Sequence, residues 1–328
     1  VVKGALYEDS KLESTEWMNY YGTLLPIEQS EEYREAVRSL GNKWDSQEYA
    51  EFILKVGKLK LGLEYTYDYV VAENTLRSIN NIDSKSPFIL TCSFTYPHDP
   101  NVLPSPYYEM FNRRKIRLPA NYGVLEDRFS NDWSRRIVGD LGEKGTRELL
   151  AIYYGQVAII DNLVGRILKT LEQKELVDNA IVLFTSDHGD MAGEHGMFWK
   201  STQSFYDGVV RVPLIISYQD VIKKGGTRIA TGLTDIMPTL LDFTGIKIPK
   251  YVQGQSLVPY LRGWSDEDGY SFCERVPPNS EHTRRDIPID KGAFMIRGNG
   301  WKYYFYQDGQ EFMYDLKDNP GETMNLAN

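Results

Sequence analysis

Residues 185–200 carry the run Thr185-Ser186-Asp187-His188-Gly189-Asp190-Met191-Ala192-Gly193-Glu194-His195-Gly196-Met197-Phe198-Trp199-Lys200. It directly follows Ala180–Phe184, a continuous apolar segment that predicts a strand covered on both faces by helices. In open α/β sheets, ligands bind beyond the carboxyl ends of such strands. We therefore expect Asp187 to lie at a site that handles an anionic ligand.

A second apolar segment, Pro87–Phe94, predicts another buried strand and runs into Thr95-Tyr96-Pro97-His98-Asp99-Pro100. Two prolines restrict the backbone on either side of His98. The two strand ends then offer carboxylate and imidazole groups for a metal, the ammonium of Lys200 and the titratable ring of His98. Such a set of groups suits the cleavage of an anionic ester.

The motif Ser-Asp-His-Gly-Asp-Met-x-Gly-Glu-His-Gly at residues 186–196, followed by Lys200 and Arg211–Ile216, resembles the downstream half of a type I sulfatase. This family is a branch of the alkaline phosphatase superfamily. Pro97-His98 resembles its other downstream site motif, and residues 234–242 and 314–326 resemble its C-terminal pattern. The matches run in order from about His98 to the last residue.

The resemblance implies an α/β fold of the alkaline phosphatase and sulfatase type, with a mostly parallel sheet flanked by helices. It also implies a small C-terminal subdomain made of an antiparallel β-meander plus a helix. We expect the core, incomplete at its N-terminal side, over residues 1–260 and the subdomain over residues 261–328.

The function implied by the resemblance is hydrolysis of a sulfate monoester, on a sulfated carbohydrate or, as alternatives, on choline or aryl sulfate. Asp187 and His188 would bind Ca²⁺, with Mg²⁺ as an alternative, because a hard carboxylate oxygen suits either ion. Imidazole suits zinc better, but His188 and His195 lack the His-Glu-x-x-His spacing of a zinc site. Lys200 and His98 would be catalytic and would contact the substrate, Lys200 at the sulfate and the bridging oxygen, His98 at the leaving-group oxygen.

The chain departs from the family pattern in one respect. Sulfatases carry a nucleophile in an upstream Cys-x-Pro-Ser-Arg segment, whose cysteine is oxidised to formylglycine, and an earlier Asp-Asp pair that helps to hold the metal. Neither motif is present, since Cys92 precedes Ser-Phe-Thr-Tyr and Cys273 precedes Glu-Arg-Val-Pro. The chain begins Val1-Val2, so we expect the downstream piece of a longer protein, inactive alone, with formylglycine on the missing upstream segment.

Two other functions remain open at this stage. One is a phosphatase or phosphonate monoester hydrolase of the same superfamily, because these enzymes bind tetrahedral anions and metals in the same way as sulfatases. A degenerate sulfatase could instead bind calcium and glycan without catalysis.

Composition limits the partners of the chain. A formal net charge of −9 over 328 residues argues against nucleic acid binding through a general basic field. No run of about eighteen or more apolar residues predicts a membrane span. Two cysteines do not make a disulfide framework. Only the resemblance favours a periplasmic, secreted or lysosomal location, and the sequence does not indicate an oligomeric state.

Weaker candidates for contacts with the alcohol or glycan are Asp99, Asn101, Tyr206 and His282. Three residues of the 185–200 run, Asp190, Glu194 and His195, are better interpreted as hydrogen-bonding groups that hold a glycine-rich turn together.

Periodicity predicts the remaining elements. Helices are expected at residues 31–40, 46–56, 68–79 and 149–171, and a short one starts at Thr234 or Asp235. Strands are expected at residues 209–217, 294–297, 301–306 and 311–314, the last three joined by Gly298-Asn299-Gly300 and Gln307-Asp308-Gly309.

Overall fold

The computed structural model describes residues 27–40, 55–83, 85–124, 129, 133–200, 204–226, 229–264, 268–275 and 292–327. These residues form two compact units. The first unit holds the described residues up to Pro119 together with Trp133–Ala180, and the second holds those of Ala120–Asp132 and Ile181–Asn328. A domain boundary at residues 260/261 stays a prediction. Among the described helices, none pairs the length of a bilayer crossing with the apolarity that one requires.

The first unit is built around one long helix. Its elements are α1 (Ile27–Arg38), β1 (Val56–Lys58), α2 (Tyr67–Asn81), β2 (Asn101–Leu103), α3 (Tyr107–Met110) and α4 (Trp133–Gln173). The strands β1 and β2 pair in parallel, with Val56 opposite Asn101. Gly142, at φ 60°, interrupts the helical geometry of α4. The helices predicted at 31–40, 68–79 and 149–171 are confirmed. Of the helix predicted at 46–56, residues 46–54 fall outside the described residues, and its end is wrong because Val56 begins β1.

The prediction of a strand at Pro87–Phe94 is wrong. Only Leu90 makes an isolated bridge, and the side chain of Ile89 is 80% exposed. An apolar run becomes a strand only where a neighbouring strand accepts its hydrogen bonds. Within the described part of the unit, that ladder forms instead between β1 and β2, just beyond His98.

The second unit contains β3 (Val182–Thr185), α5 (Asp207–Val210), β4 (Leu214–Ser217), α6 (Ile236–Phe243), α7 (Val258–Leu261), β5 (Tyr270–Arg275), β6 (Ala293–Gly298), β7 (Trp301–Tyr306) and β8 (Glu311–Asp315). The last four strands form an antiparallel sheet in the order β5-β6-β7-β8. The predicted meander is therefore confirmed. Its β6–β7 turn uses Asn299 and Gly300 at φ 53° and 81°, as Asn-Gly hairpins do.

Two predictions about the segment around β3 and β4 need correction. In the described structure β3 pairs with β4 alone, antiparallel, and Phe184 is 37% exposed, so β3 is not covered on both faces. The strand predicted at 209–217 is shorter, because Asp207–Val210 forms a helical turn and Pro213, which has no N–H, precedes the ladder. The start of α6 at Asp235–Ile236 agrees with prediction, and Gly245, beyond its end, has a left-handed φ of 70°.

A fully buried ammonium lies at the inner face of the C-terminal sheet. Lys302 Nζ donates to the carbonyl oxygen of Phe205 at 2.9 Å, to Glu322 Oε1 at 2.7 Å, and to Asp207 Oδ1. Burial disfavours the charged form of both carboxyls, Asp207 and Glu322. At Asp207 the positive charges of Lys302 and Arg297 outweigh burial and lower the pKa, whereas at Glu322 burial dominates and the pKa is raised.

Aromatic rings fill the space beside this cluster. Tyr206 is fully buried and stacks on the imidazole of His195, with ring centroids 3.8 Å apart. The Nδ1 atom of His195 lies 3.1 Å from the carbonyl oxygen of Val124. Burial lowers the pKa of His195 from 6.5 to about 4. The ring is therefore neutral throughout the physiological pH range.

Replacing Lys302 with Met should destabilise the fold by about 3–5 kcal/mol, because the buried carboxylate of Glu322 and the partly buried carboxylate of Asp207 would lose their shared cation. The measurement is the urea midpoint of unfolding at pH 7. The exposed Lys317, which follows the same sheet, gives the matched control, and Lys317→Met should change stability by less than about 0.5 kcal/mol. Equal midpoints for the two variants would contradict the importance of the buried cluster.

Replacing His195 with Asn should change how stability depends on pH. The folded-state pKa of about 4 lies below the unfolded value near 6.5, so the neutral ring contributes its full stability above pH 6.5 and loses it as pH falls toward 4. The loss is about 3 kcal/mol at most, at about 1.36 kcal/mol per pKa unit. Asn tolerates the left-handed φ of 51° at this position. The free energies of unfolding of parent and variant should converge between pH 7 and pH 4.5, and parallel curves would show that His195 does not titrate as stated.

Candidate active site

Asp187 and His188 lie directly beyond the end of β3. The Asp187 side chain is 77% exposed, and its Oδ1 atom accepts the backbone N–H of His188 at 3.0 Å. Its Oδ2 atom lies 3.7 Å from His188 Nε2. The Nδ1 atom of His188 lies 2.9 Å from the carbonyl oxygen of Gly189. A carbonyl can only accept, so Nδ1 carries the hydrogen and Nε2 is the ring atom that faces the carboxylate.

This pair fits part of the coordination shell of a divalent cation. It supplies one hard oxygen donor and one imidazole nitrogen that face each other at the protein surface. Within the described ranges, no three His, Cys, Asp or Glu side chains group as a metal site. Since Ca²⁺ takes about six to eight ligands, the pair would need further donors to hold the ion.

The loop that carries the pair is held by its own side chains. Asp190 Oδ1 accepts the N–H groups of Ala192 at 2.7 Å and Trp199 at 2.9 Å, and the N–H of Met191 donates to the Trp199 carbonyl at 2.9 Å. Burial raises the pKa of Glu194, against a hydrogen bond from Asn121 that lowers it. The interpretation of Asp190 as a residue that holds the turn is confirmed, whereas the His195 ring bonds the carbonyl of Val124, outside the 185–200 run.

Gly189 brings the loop into direct backbone contact with α5. Its N–H donates to the Val209 carbonyl at 2.7 Å, and a Cβ atom at this position would lie 2.1 Å from the Gly208 carbonyl oxygen. Any side chain here would push the two segments apart. The glycine after His188 therefore lets the loop lie against α5.

Lys200 is exposed at the end of the same loop. Trp199 before it is buried and adopts a left-handed φ of 60°. The buried indole anchors the chain immediately before the lysine, while the ammonium stays accessible to a ligand.

His98 belongs to the first unit. Its ring is 40% exposed, and Nδ1 lies 2.8 Å from the carbonyl oxygen of Asp99 and 3.3 Å from Asp99 Oδ1. The predicted site residues thus divide between the units, with Asp187, His188 and Lys200 in the second. That His98 joins them in one site stays a prediction.

The weaker candidates fare differently. Asn101 and Tyr206 are buried, and that they contact the alcohol or glycan stays a prediction. Both are held inside by packing, Asn101 in β2 and Tyr206 against His195. His282 lies outside the described residues. Sequence reasoning missed Lys302. Because side chains alternate between the two faces of a strand, its position between Trp301 and Tyr303 could have placed it on the buried face.

Two protein-family models match the chain. A model described as "Sulfatase" matches residues 15–246, and one described as the C-terminal region of N-sulphoglucosamine sulphohydrolase matches residues 193–328. The choline-sulfatase of Rhizobium meliloti (strain 1021) is 31% identical over 265 residues, 76% of this chain and 48% of that protein. The human arylsulfatase K is 28% identical over 285 residues, 78% of this chain and 52% of that protein. The chain thus spans about half the length of these relatives.

Solved structures share the fold. A phosphonate monoester hydrolase from Silicibacter pomeroyi superposes with a TM-score of 0.71 at 24% identity, over 92% of this chain and 65% of that chain. A protein solved with its substrate D-glucosamine-2-N,6-O-disulfate gives 0.64 at 25% identity, over 79% and 65%. A 2-O glycosaminoglycan sulfatase gives 0.62 at 28% identity, over 80% and 59%. The expected fold class is confirmed, and the chain belongs to the sulfatase family.

Proposed function

We propose that the protein containing this chain hydrolyses a sulfate monoester of a carbohydrate. The observation that carries the proposal is the exposed Asp187–His188 pair at the end of β3, inside the region that matches the sulfatase model. Two of the solved sulfatase-like structures act on or bind sulfated sugars by their own descriptions, which supports a sugar sulfate as the substrate class.

In this proposal, each residue has a separate task. Asp187 and His188 hold a Ca²⁺ ion, which when bound neutralises negative charge on the sulfate oxygens and the nucleophile. Lys200 attracts the sulfate locally, since its side chain is exposed. This local charge acts against the net negative charge of the chain. His98 delivers a proton to the departing alcohol oxygen. The nucleophile is a formylglycine on a segment upstream of this chain.

A substrate panel tests the reaction. The full-length protein should hydrolyse a sulfated monosaccharide or 4-nitrophenyl sulfate faster than the matching phosphate and phosphonate esters, measured as kcat/KM. Removal of divalent cations with EDTA should abolish turnover, and added Ca²⁺ should restore it. Faster cleavage of the phosphonate ester would instead favour the phosphonate hydrolase alternative. Binding of Ca²⁺ and of sulfated sugar without any turnover would favour a non-catalytic protein.

Single substitutions test the proposed roles. In the full-length protein, Lys200→Ala and His98→Ala should each lower kcat/KM for a sulfated monosaccharide by about 100-fold or more, because each removes charge stabilisation or proton transfer. The midpoint of thermal unfolding should stay at the parent value, since both side chains are substantially exposed. Lys224→Ala, at another exposed lysine of the second unit, is the control and should leave the rate unchanged. Near-parent rates in the first two variants would remove those residues from the mechanism.

A further inference from the structure

The backbone around His98 is held on both sides by buried polar groups. The carboxylate of Asp68, buried in the first turn of α2, accepts the N–H groups of Thr95 and Tyr96. At the other end of the loop, the buried side chain of Gln156 donates to the Pro100 carbonyl at 3.2 Å. The position of the loop is thus set by α2 and α4, and the imidazole keeps only its own side-chain torsions.

Those torsions are restrained by the next residue. The side chain of Asp99 is only 8% exposed, and both its carbonyl oxygen and its Oδ1 atom lie beside His98 Nδ1, at 2.8 and 3.3 Å. Two acceptors on one side of the ring require a hydrogen on Nδ1 and turn the Nε2 edge away from Asp99. Because the ring itself is 40% exposed, that edge can reach a ligand.

We propose that Asp99 is the positioning residue of His98, holding the ring so that Nε2–H points at the leaving-group oxygen. This inference rests on the proposed function. As the S–O ester bond breaks, its electron pair passes to the ester oxygen and the proton of Nε2 joins it, so the alcohol departs neutral. The sulfuryl group would pass to an oxygen of the hydrated formylglycine, whose hydroxyl proton would leave to water, and His98 would be left as a neutral imidazole with Nδ1–H still directed at Asp99.

The dependence of the rate on the leaving group tests this role. An alkyl alcohol needs the proton far more than a nitrophenol does, because the nitrophenolate is already a stable anion. In the full-length protein, Asp99→Ala should lower kcat/KM for a sulfated monosaccharide by about 10–100-fold, as loss of an orienting partner does. For 4-nitrophenyl sulfate the loss should stay below about threefold. Asp99→Asn keeps an acceptor oxygen and should lose less than Asp99→Ala.

The ratio of the two rates separates positioning from a loss of folded protein, which lowers both rates equally. Gln156→Leu loosens the same loop at Pro100 without touching the imidazole and should leave the ratio at the parent value. In a His98→Ala background, Asp99→Ala should have no further effect on the ratio.

An unchanged ratio in Asp99→Ala, with the parent active on both esters, would overturn the positioning role alone. A parent protein that cleaves neither ester would overturn the proposed function, and the positioning role with it.

Discussion

A single buried cation joins the C-terminal sheet to the segment that supports the candidate metal ligands. Lys302 has no exposure to solvent, and it binds the carbonyl of Phe205 and the carboxylate of Asp207 at the start of α5. From there the connection is backbone alone, because the Val209 carbonyl accepts the N–H of Gly189 next to His188. A cation with no access to water needs carboxylates around it, so Asp207 and Glu322 must stay in place, and α5 with them.

Short sequence patterns were enough to predict the turns and loops whose conformation depends on residues close by in the chain. The meander follows from alternating side chains and from Asn299-Gly300, since few other dipeptides adopt two positive φ angles in a tight turn. The glycines of the 185–200 run likewise indicate a loop in which backbone approaches backbone, as Gly189 does against Gly208. Asp187 and His188 could be placed at a strand end because the run follows an apolar segment directly.

Contacts between distant parts of the chain explain what the sequence did not predict. The helical turn Asp207–Val210 takes the first two residues of the strand expected at 209–217, and the N–H of Asp207 at its start donates to Glu322, 115 residues further on. No pattern within a short window contains that partner. The same holds for Pro87–Phe94, whose composition favours a strand but which forms one isolated bridge instead of a ladder within the described residues. Strand pairing is a property of the neighbour as much as of the segment.

The described histidines show how surroundings divide one residue type among different tasks. His195 is enclosed by aromatic rings and remains neutral, so it serves packing. His98 and His188 each direct Nδ1 at the backbone carbonyl of the following residue, at 2.8 and 2.9 Å, which presents Nε2 as the outer atom of both rings. The neighbouring aspartate carboxylate lies beside a different nitrogen in each of these two rings. At His188 it lies 3.7 Å from Nε2, whereas at His98 it lies 3.3 Å from Nδ1. In the proposed mechanism, a carboxylate beside Nε2 suits His188 to metal binding, whereas a carboxylate beside Nδ1 suits His98 to proton transfer through Nε2.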